Sequence, residues 1–290
     1  MSSNAQSPST VGMQIGPQTR FIISTSGRLT SLLRYQKLLQ EVLRLDLAYL
    51  PISPQPGENA IQPAAFAGVL RGLPCLGGAI SKDIKFKIIP FLDRLDASAQ
   101  QVTSVNTVLC SQGALIGYNT DAYGFEQAIR QGIANCGKKI TRAVVYGYGG
   151  VFGVACRVLQ SLGIEVSVTG RDAQAVARCT QEFGLRPFEG TAAQLFVNAA
   201  PVSDTSLEQA PGFLAALKGC VLVFDHHMPG GALLEYCRQN GIAHIPGTAM
   251  YYPQMYRQWE LFLSALPESQ LRVSDLPSLI ARAEGLANAA

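Results

Sequence analysis

The stretch "AVVYGYGGVFGVACRVLQSLGIEVSVTGRD", residues 143–172, sets two apolar strands around a glycine turn and a helix. Residues 143–147 read as a short buried strand, Gly149 and Gly150 continue in a turn, and an apolar-periodic helix runs on to Leu162. A second strand, "EVSVTG" at 165–170, leads into Arg171 and Asp172. This succession brings backbone amides to a helix N-terminus, where they suit the pyrophosphate of a dinucleotide. Gly147, Gly149 and Gly150 are the candidate cofactor-binding residues of the turn. Without a ligand the same residues make a tight strand-to-helix connection. A G-x-G-x-x-G frame begun at Gly147 puts Phe152 where the third glycine belongs. Either Gly153 takes over that close approach by a one-residue shift, or the loop is reshaped.

After the second strand an acid holds a ribose 2′-hydroxyl, whereas an arginine accommodates a 2′-phosphate. Arg171 points to NADP, and Asp172 keeps NAD as the alternative.

Outward from this unit the chain alternates strand and helix signals. On the N-terminal side lie "RFIIS" (20–24), a helical pattern over 30–46, "LAYLPI" (47–52), a helix-like run over 60–72, and "PCLGGAI" (74–80). "QGIANCGKKI" (131–140) reads as a linker. On the C-terminal side follow a helix to Phe183, "LFVNAA" (195–200), "CVLVFDH" (220–226), and helical sequence from about 252 onward. The fold class expected is α/β with two domains. An N-terminal α/β domain, residues 19–120, is completed by C-terminal helices within 251–290; residues 121–250 form a Rossmann-type doubly wound dinucleotide-binding domain; residues 1–18 read as a flexible tail.

A chain of 290 residues, 48% of them apolar, has ample material for such cores. Net charge +3, without a basic stripe, argues against a nucleic-acid partner. The cysteines at 75, 110, 136, 156, 179, 220 and 237 are odd in number and form no C-x-x-C pair, which fits a reducing cytoplasm. The first 18 residues lack a signal-peptide pattern and no long apolar run occurs, so the expectation is a soluble protein with no membrane partner. His226 and His227 are adjacent on a strand end and point to opposite faces, so no metal site is expected there.

"GGAISKDIKFKIIPFLDRLD" (77–96) carries three lysines in an otherwise apolar setting. At helical spacing from Lys85, the residues Ile88, Ile89 and Leu92 share one face, so Lys85 heads that face and Lys87 turns to solvent. Lys82 precedes the helix start expected near Asp83, and Pro90 would kink a helix begun so early. From phase alone, Lys85 reads as a snorkelling side chain at the core edge.

Further motifs carry a family resemblance. "VNTVLCSQGALIGYNTDAYGFEQAI" (105–129) resembles the V-N-T…G-x-N-T-D-x-x-G segment of shikimate and quinate dehydrogenases. "YGYGGVFGVA" resembles that family's G-x-G-G turn, "FVNAAPV" its I-N-A-T-P stretch, and "GTAMYYPQMYRQWELF" its G-x-x-M-L-x-x-Q-A entry to the last helices. The likeness runs in one order from about residue 20 to 265.

The resemblance implies an NAD(P)-dependent oxidoreductase that interconverts a ring hydroxyl and a ketone of shikimate, quinate or a related cyclic hydroxy-carboxylate. It implies that the N-terminal domain with the C-terminal helices holds substrate and that the cleft beside the nucleotide domain is the site. Lys85 and Asp121 take the catalytic positions, as a coupled pair handling the hydroxyl proton. Asn106 and Gln254 take those that bond substrate hydroxyls. Asn198 and Gly247 join the turn glycines and Arg171 as cofactor contacts. Each has a plain structural reading as well: Thr120 or Asp121 as a helix N-cap, Asn106 as a turn residue, Gln254 as a first-turn polar residue.

The departures concern substrate more than reaction. Of the two serines of the family's Ser-x-Ser-x-Pro segment, Thr30 keeps one hydroxyl and Leu32 loses the other. Ser24, Ser26 or Ser31 can substitute, and Arg28 suits a carboxylate as a bidentate partner. The family's N-V-T-x-P-x-K becomes "AISKDIK", in which Ser81 retains a hydroxyl. "FDHHMPGGALL" lacks the family's tyrosine near the nicotinamide. The alternative these changes allow is a binding or regulatory protein with weak or lost turnover. A monomer or a homodimer fits either reading.

Overall fold

The computed structural model describes residues 12–26, 29–54, 61–81, 84–190, 192–202, 207–227, 231–266 and 275–288. The chain divides into two compact units, one of Met1–Asp96, Ser104–Tyr118 and Gln258–Ala290, the other of Ala97–Thr103 and Asn119–Arg257.

The first unit contains β1 (Arg20–Ser24), α1 (Leu29–Gln36), β2 (Leu47–Pro51), α2 (Pro63–Gly72), β3 (Cys75–Ala79), β4 (Arg94–Leu95), β5 (Thr107–Ser111) and β6 (Ala114–Tyr118). Its sheet runs β2-β1-β3-β5-β6-β4. β1 pairs in parallel with β2 and β3, while β5 is antiparallel to β3 and β6. Gln112 (φ 50°) and Gly113 (φ 79°) both adopt the left-handed conformation that a two-residue hairpin requires. β3 can be central because it is glycine-rich. A side chain on Gly77 would strike Val108 O at 2.2 Å and the Phe262 ring at 2.9 Å, and one on Gly78 would strike Phe66 at 2.8 Å. Successive strand residues face opposite sides, so a ring seats on each face.

Two expectations change here. The helix read over 30–46 is α1 followed by a π-helical segment, Lys37–Val42, in which Leu43 N donates to Leu38 O at 2.9 Å. The wider turn buries the consecutive Leu38 and Leu39 completely. The lysine segment is not an α-helix: residues 84–88 form turns and Ile89–Phe91 a 3-10 turn with Pro90 at its start. Ile84 and Ile88 are the buried anchors, joined by Ile88 N to Ile84 O at 2.9 Å. Ile89 and Leu92 are only half-buried, because Pro90 cannot continue a helical ladder. Lys87 is exposed as its phase required, and Lys82 and Asp83 lie outside the described residues.

The second unit contains α3 (Ala97–Val102), α4 (Thr120–Cys136), β7 (Arg142–Tyr146), α5 (Phe152–Ser161), β8 (Glu165–Thr169), α6 (Ala173–Phe183), β9 (Arg186–Pro187), β10 (Leu195–Asn198), α7 (Phe213–Leu217), β11 (Leu222–Asp225), α8 (Ala232–Gln239) and β12 (Ala243–Pro246). All its strands are parallel, in the order β12-β11-β10-β7-β8-β9. The winding direction reverses between β7 and β10. Alternate residues of the same strands enter two cores: Val145 and Val197 pack with Phe125 and Leu159, whereas Val144 and Phe196 pack with Phe213 and Cys237. Both sheet faces are covered, which is why these strands read as unbroken apolar runs. The segment expected as a linker is helical through Cys136, where Gly137 (φ 63°) closes α4 in the left-handed conformation.

α9 (Thr248–Leu263) begins in the second unit, and its last turns belong to the first. There Trp259 is fully buried, its ring centroid 4.8 Å from Tyr35 and 5.8 Å from Phe262. α10 (Leu276–Asn288) packs in the same unit, with Arg34 Nη1 and Glu284 Oε1 at 2.7 Å. Among the described residues no helix is long and apolar enough to cross a membrane. All seven cysteines are free thiols.

Candidate active site

The glycine turn lies where the sheet reverses, the edge at which doubly wound sheets take ligands. Gly147 has φ 90°, and a Cβ there would sit 2.6 Å from Ala200 Cβ. A Cβ on Gly149 would sit 2.6 Å from Ala199 O, whereas one on Gly150 would enter open space. The first two glycines thus serve the chain's own packing, and Gly150 faces outward, where backbone can meet a ligand. Phe152 does not obstruct the turn. It is 3% exposed and meets Phe183 edge-on at 5.2 Å, and a Cβ on Gly153 would lie 3.1 Å from the same ring, on α6 and not on a strand. Tyr148 is exposed, and its ring lies against Gly170.

Arg171 and Asp172 separate cleanly. The Asp172 carboxylate caps α6, its Oδ1 accepting Gln174 N at 2.8 Å and Ala175 N at 3.2 Å. Arg171 is exposed at the end of β8. Asn198 turns inward: 2% exposed, it donates Nδ2 to Asp225 Oδ1 at 3.0 Å and accepts Ala200 N at 3.2 Å. Its side chain fixes the Ala199–Ala200 backbone that the turn glycines pack upon. Gly247 is a crossing point, where a Cβ would lie 2.5 Å from both His226 O and His227 O. Both histidines are exposed. Among the described residues no group of three or more His, Cys, Asp or Glu is placed to hold a metal ion.

In the first unit, backbone bonds hold the Lys85 turn and Asn106 at neighbouring points of the chain. Val105 N donates to Lys85 O at 2.9 Å, and Ile80 N donates to Asn106 O at 2.7 Å. The turn that carries Lys85 is therefore stitched to the residues just before β5. Asn106 is 4% exposed, and its Oδ1 accepts the Thr107 hydroxyl at 2.9 Å. Ser81 pairs with Thr25: Thr25 Oγ1 accepts Ser81 N at 2.8 Å, and Ser81 Oγ donates to Thr25 O at 3.1 Å. That latch ties the ends of the parallel strands β1 and β3. Arg28 lies outside the described residues, as does the side chain of Thr30, a backbone member of α1.

In the second unit, α4 is capped by Asn119, whose Oδ1 accepts Ala122 N at 2.9 Å. Neither Thr120 nor Asp121, each expected as a candidate N-cap, performs that role. Asp121 stands half-buried in the first turn. The Thr120 hydroxyl donates to Gln254 Oε1 at 3.1 Å, and α4 meets α9 so closely that a Cβ on Gly124 would lie 2.7 Å from Gln254 Cβ.

Thr25, Thr107, Asn119 and Gln258 escaped the sequence reading. Only Asn119 left a local signal, as a polar residue before a helix; the rest are recognised by partners distant in the chain.

An all-parallel sheet of this order, with a glycine turn at its reversal, defines a doubly wound fold of the dinucleotide-binding class. No family model matches the sequence. A shikimate dehydrogenase (NADP(+)) of Thermus thermophilus is 32% identical over 224 residues, 75% of this chain and 80% of the relative. A shikimate dehydrogenase-like protein of Haemophilus influenzae is 26% identical over 270 residues, 89% of this chain and 95% of the relative. A solved shikimate 5-dehydrogenase from Thermus thermophilus, in complex with NADP(H) and shikimate, has TM-score 0.66 at 26% identity, covering 91% of this chain and 99% of that one. The chain belongs to the shikimate dehydrogenase family and is a shikimate/quinate dehydrogenase-like oxidoreductase.

Proposed function

We propose that this chain is an NADP-dependent dehydrogenase interconverting a ring hydroxyl and a ketone of shikimate, quinate or a related cyclic hydroxy-carboxylate, with NAD as the alternative cofactor. The observation that carries it is the turn at the sheet reversal, where Gly150 alone of the three glycines faces open space. The residues present fit a dinucleotide: Gly147–Gly150 and the start of α5 for the pyrophosphate, Arg171 for the 2′-phosphate, and Asn198 and Gly247 through the backbone they shape. The Thermus thermophilus shikimate dehydrogenase (NADP(+)) and the shikimate 5-dehydrogenase solved in complex with NADP(H) support the same choice.

When bound, the dinucleotide supplies the hydride acceptor. This chain's part is to bind the ring and manage the hydroxyl proton. Lys85 and Asp121 are assigned that proton, which must leave as the carbonyl forms and return in the reverse direction. Asn106 and Gln254 orient the hydroxyls, and Thr30, Arg28 and Ser81 serve the carboxylate end. Residues 19–120 with 251–290 are assigned to substrate and 121–250 to cofactor.

A second reading, a binding or regulatory protein with weak turnover, is motivated by Leu32 at a serine position and by the missing tyrosine in "FDHHMPGGALL". Purified protein assayed with shikimate and quinate against NADP+ and NAD+ tests both. Reduced nicotinamide formed with one pair supports the dehydrogenase. If no pair yields it, while a dinucleotide or ring polyol raises Tm, the binding reading replaces it.

A further inference from the structure

We infer that Gln258 is a positioning residue: through Thr107 it holds the Asn106 carboxamide with Nδ2 turned toward substrate. The inference rests on the role given to Asn106 in the proposed function.

One backbone carbonyl fixes the first direction in this chain of bonds. Gln258 Nε2 lies 3.3 Å from Asn106 O and 2.7 Å from Thr107 Oγ1. A carbonyl oxygen only accepts, so the group facing it must be the amide nitrogen of Gln258 and not its oxygen. The second hydrogen of that nitrogen goes to Thr107 Oγ1. Having accepted there, the Thr107 hydroxyl directs its own hydrogen to Asn106 Oδ1 at 2.9 Å. Asn106 Oδ1 is thereby committed as an acceptor, and Nδ2 must occupy the other side of the carboxamide. Thr107 is fully buried and Asn106 is 4% exposed, so water does not readily replace any member. Ile80 N on Asn106 O, and Tyr118 O on Asn106 N at 3.0 Å, hold the backbone while the relay sets the side chain.

The consequence is a selective one. A substrate oxygen that meets Asn106 must accept, and both an alcohol and its ketone can do so; an alcohol held this way keeps its own proton for a base.

The test uses Thr107→Val, which keeps shape and removes the hydroxyl, Thr107→Ser, which keeps it, and Gln258→Glu, whose carboxylate accepts but does not donate. Thr107→Val and Gln258→Glu are each expected to raise the KM for shikimate or quinate about tenfold, with KM for NADP+ within about twofold. Thr107→Ser stays within about twofold of wild type, and the double variant is no worse than the worse single, because one relay is broken once. Substrate KM unchanged, both ligands' KM rising alike, or Thr107→Ser as impaired as Thr107→Val overturns the relay. The Asn106 side-chain amide resonances of the unliganded protein report without any substrate. Their shift and faster solvent exchange in Thr107→Val uphold the relay; unaltered resonances overturn it. Absence of wild-type turnover with every substrate and cofactor pair refutes the proposed function instead, and the resonances still decide the relay.

Discussion

Val105 donates its amide to the carbonyl of Lys85 at 2.9 Å, so the lysine is anchored by its backbone to the residue before Asn106. Ile84 and Ile88, at 3% and 0% exposure, hold the turn on either side. The turn is thus held by its backbone and by the two isoleucines.

Lys85→Met is expected to lower kcat by at least about a hundredfold, the usual scale for loss of a proton-transfer group, with Tm within a few degrees of wild type. Ile88→Ala, by contrast, lowers Tm through a cavity cost of about 2–5 kcal/mol. Steady-state rates beside a thermal melt check both, and a Lys85→Met enzyme as fast as wild type removes Lys85 from the chemistry.

Asn119 and Asp121 separate stability from catalysis. Asn119→Ala loses the α4 cap and costs about 1 kcal/mol. Asp121→Asn keeps the cap and loses turnover by about a hundredfold or more. Urea unfolding and kcat on the same preparations give the comparison; equal stability losses with intact turnover would return Asp121 to a structural role.

Arg171→Ala should raise KM for NADP+ about tenfold or more and leave KM for NAD+ nearly unchanged, since only the former carries the 2′-phosphate. Asp172→Ala should cost about 1 kcal/mol through the α6 cap and leave the NADP+/NAD+ preference as it was. Initial rates with each cofactor decide the assignment.

Gly149→Ala and Gly150→Ala differ by one position and should differ in kind. The first brings a methyl within 2.6 Å of Ala199 O and lowers Tm; the second enters open space, leaves Tm unchanged and weakens dinucleotide binding. Calorimetric titration with NADP+ distinguishes them, and full affinity in Gly150→Ala would move the phosphate site elsewhere.

Burial pushes the Cys75 thiol up to about 11 and those of Cys110, Cys156, Cys220 and Cys237 up to about 12. Folding therefore favours the protonated thiols. Their contribution to stability is complete below the unfolded thiol pKa, about 8.5, and is lost as pH rises through the folded values. Tm should fall progressively above about pH 9. At about pH 8 these five thiols should react with a disulfide reagent only after denaturation, which a colorimetric thiol count follows directly.

The second unit was legible largely because its signals are local. A buried parallel strand, a glycine turn and a helix are neighbours in sequence, so periodicity and spacing place Gly147–Gly150 and Arg171 before any folding is known. Family motifs singled out Lys85, Asn106, Asp121 and Gln254. The lysine segment misled because Ile88, Ile89 and Leu92 match a helical period that Pro90 prevents, leaving the Ile84 and Ile88 pair to carry burial.

The bonds that orient the side chains needed the folded chain. Thr25 meets Ser81 across 56 residues, and Gln258 meets Thr107 across 151. Phe152 left the phosphate turn because Phe183 receives it, and Asp172 left the ribose question because its oxygen caps α6. Amino-acid order specified which strands and turns form and which chemical groups are available. Which of those groups are spent on holding the chain was settled by packing, because a hydrogen bond depends on what stands within about 3 Å in space and not on what stands nearby in sequence.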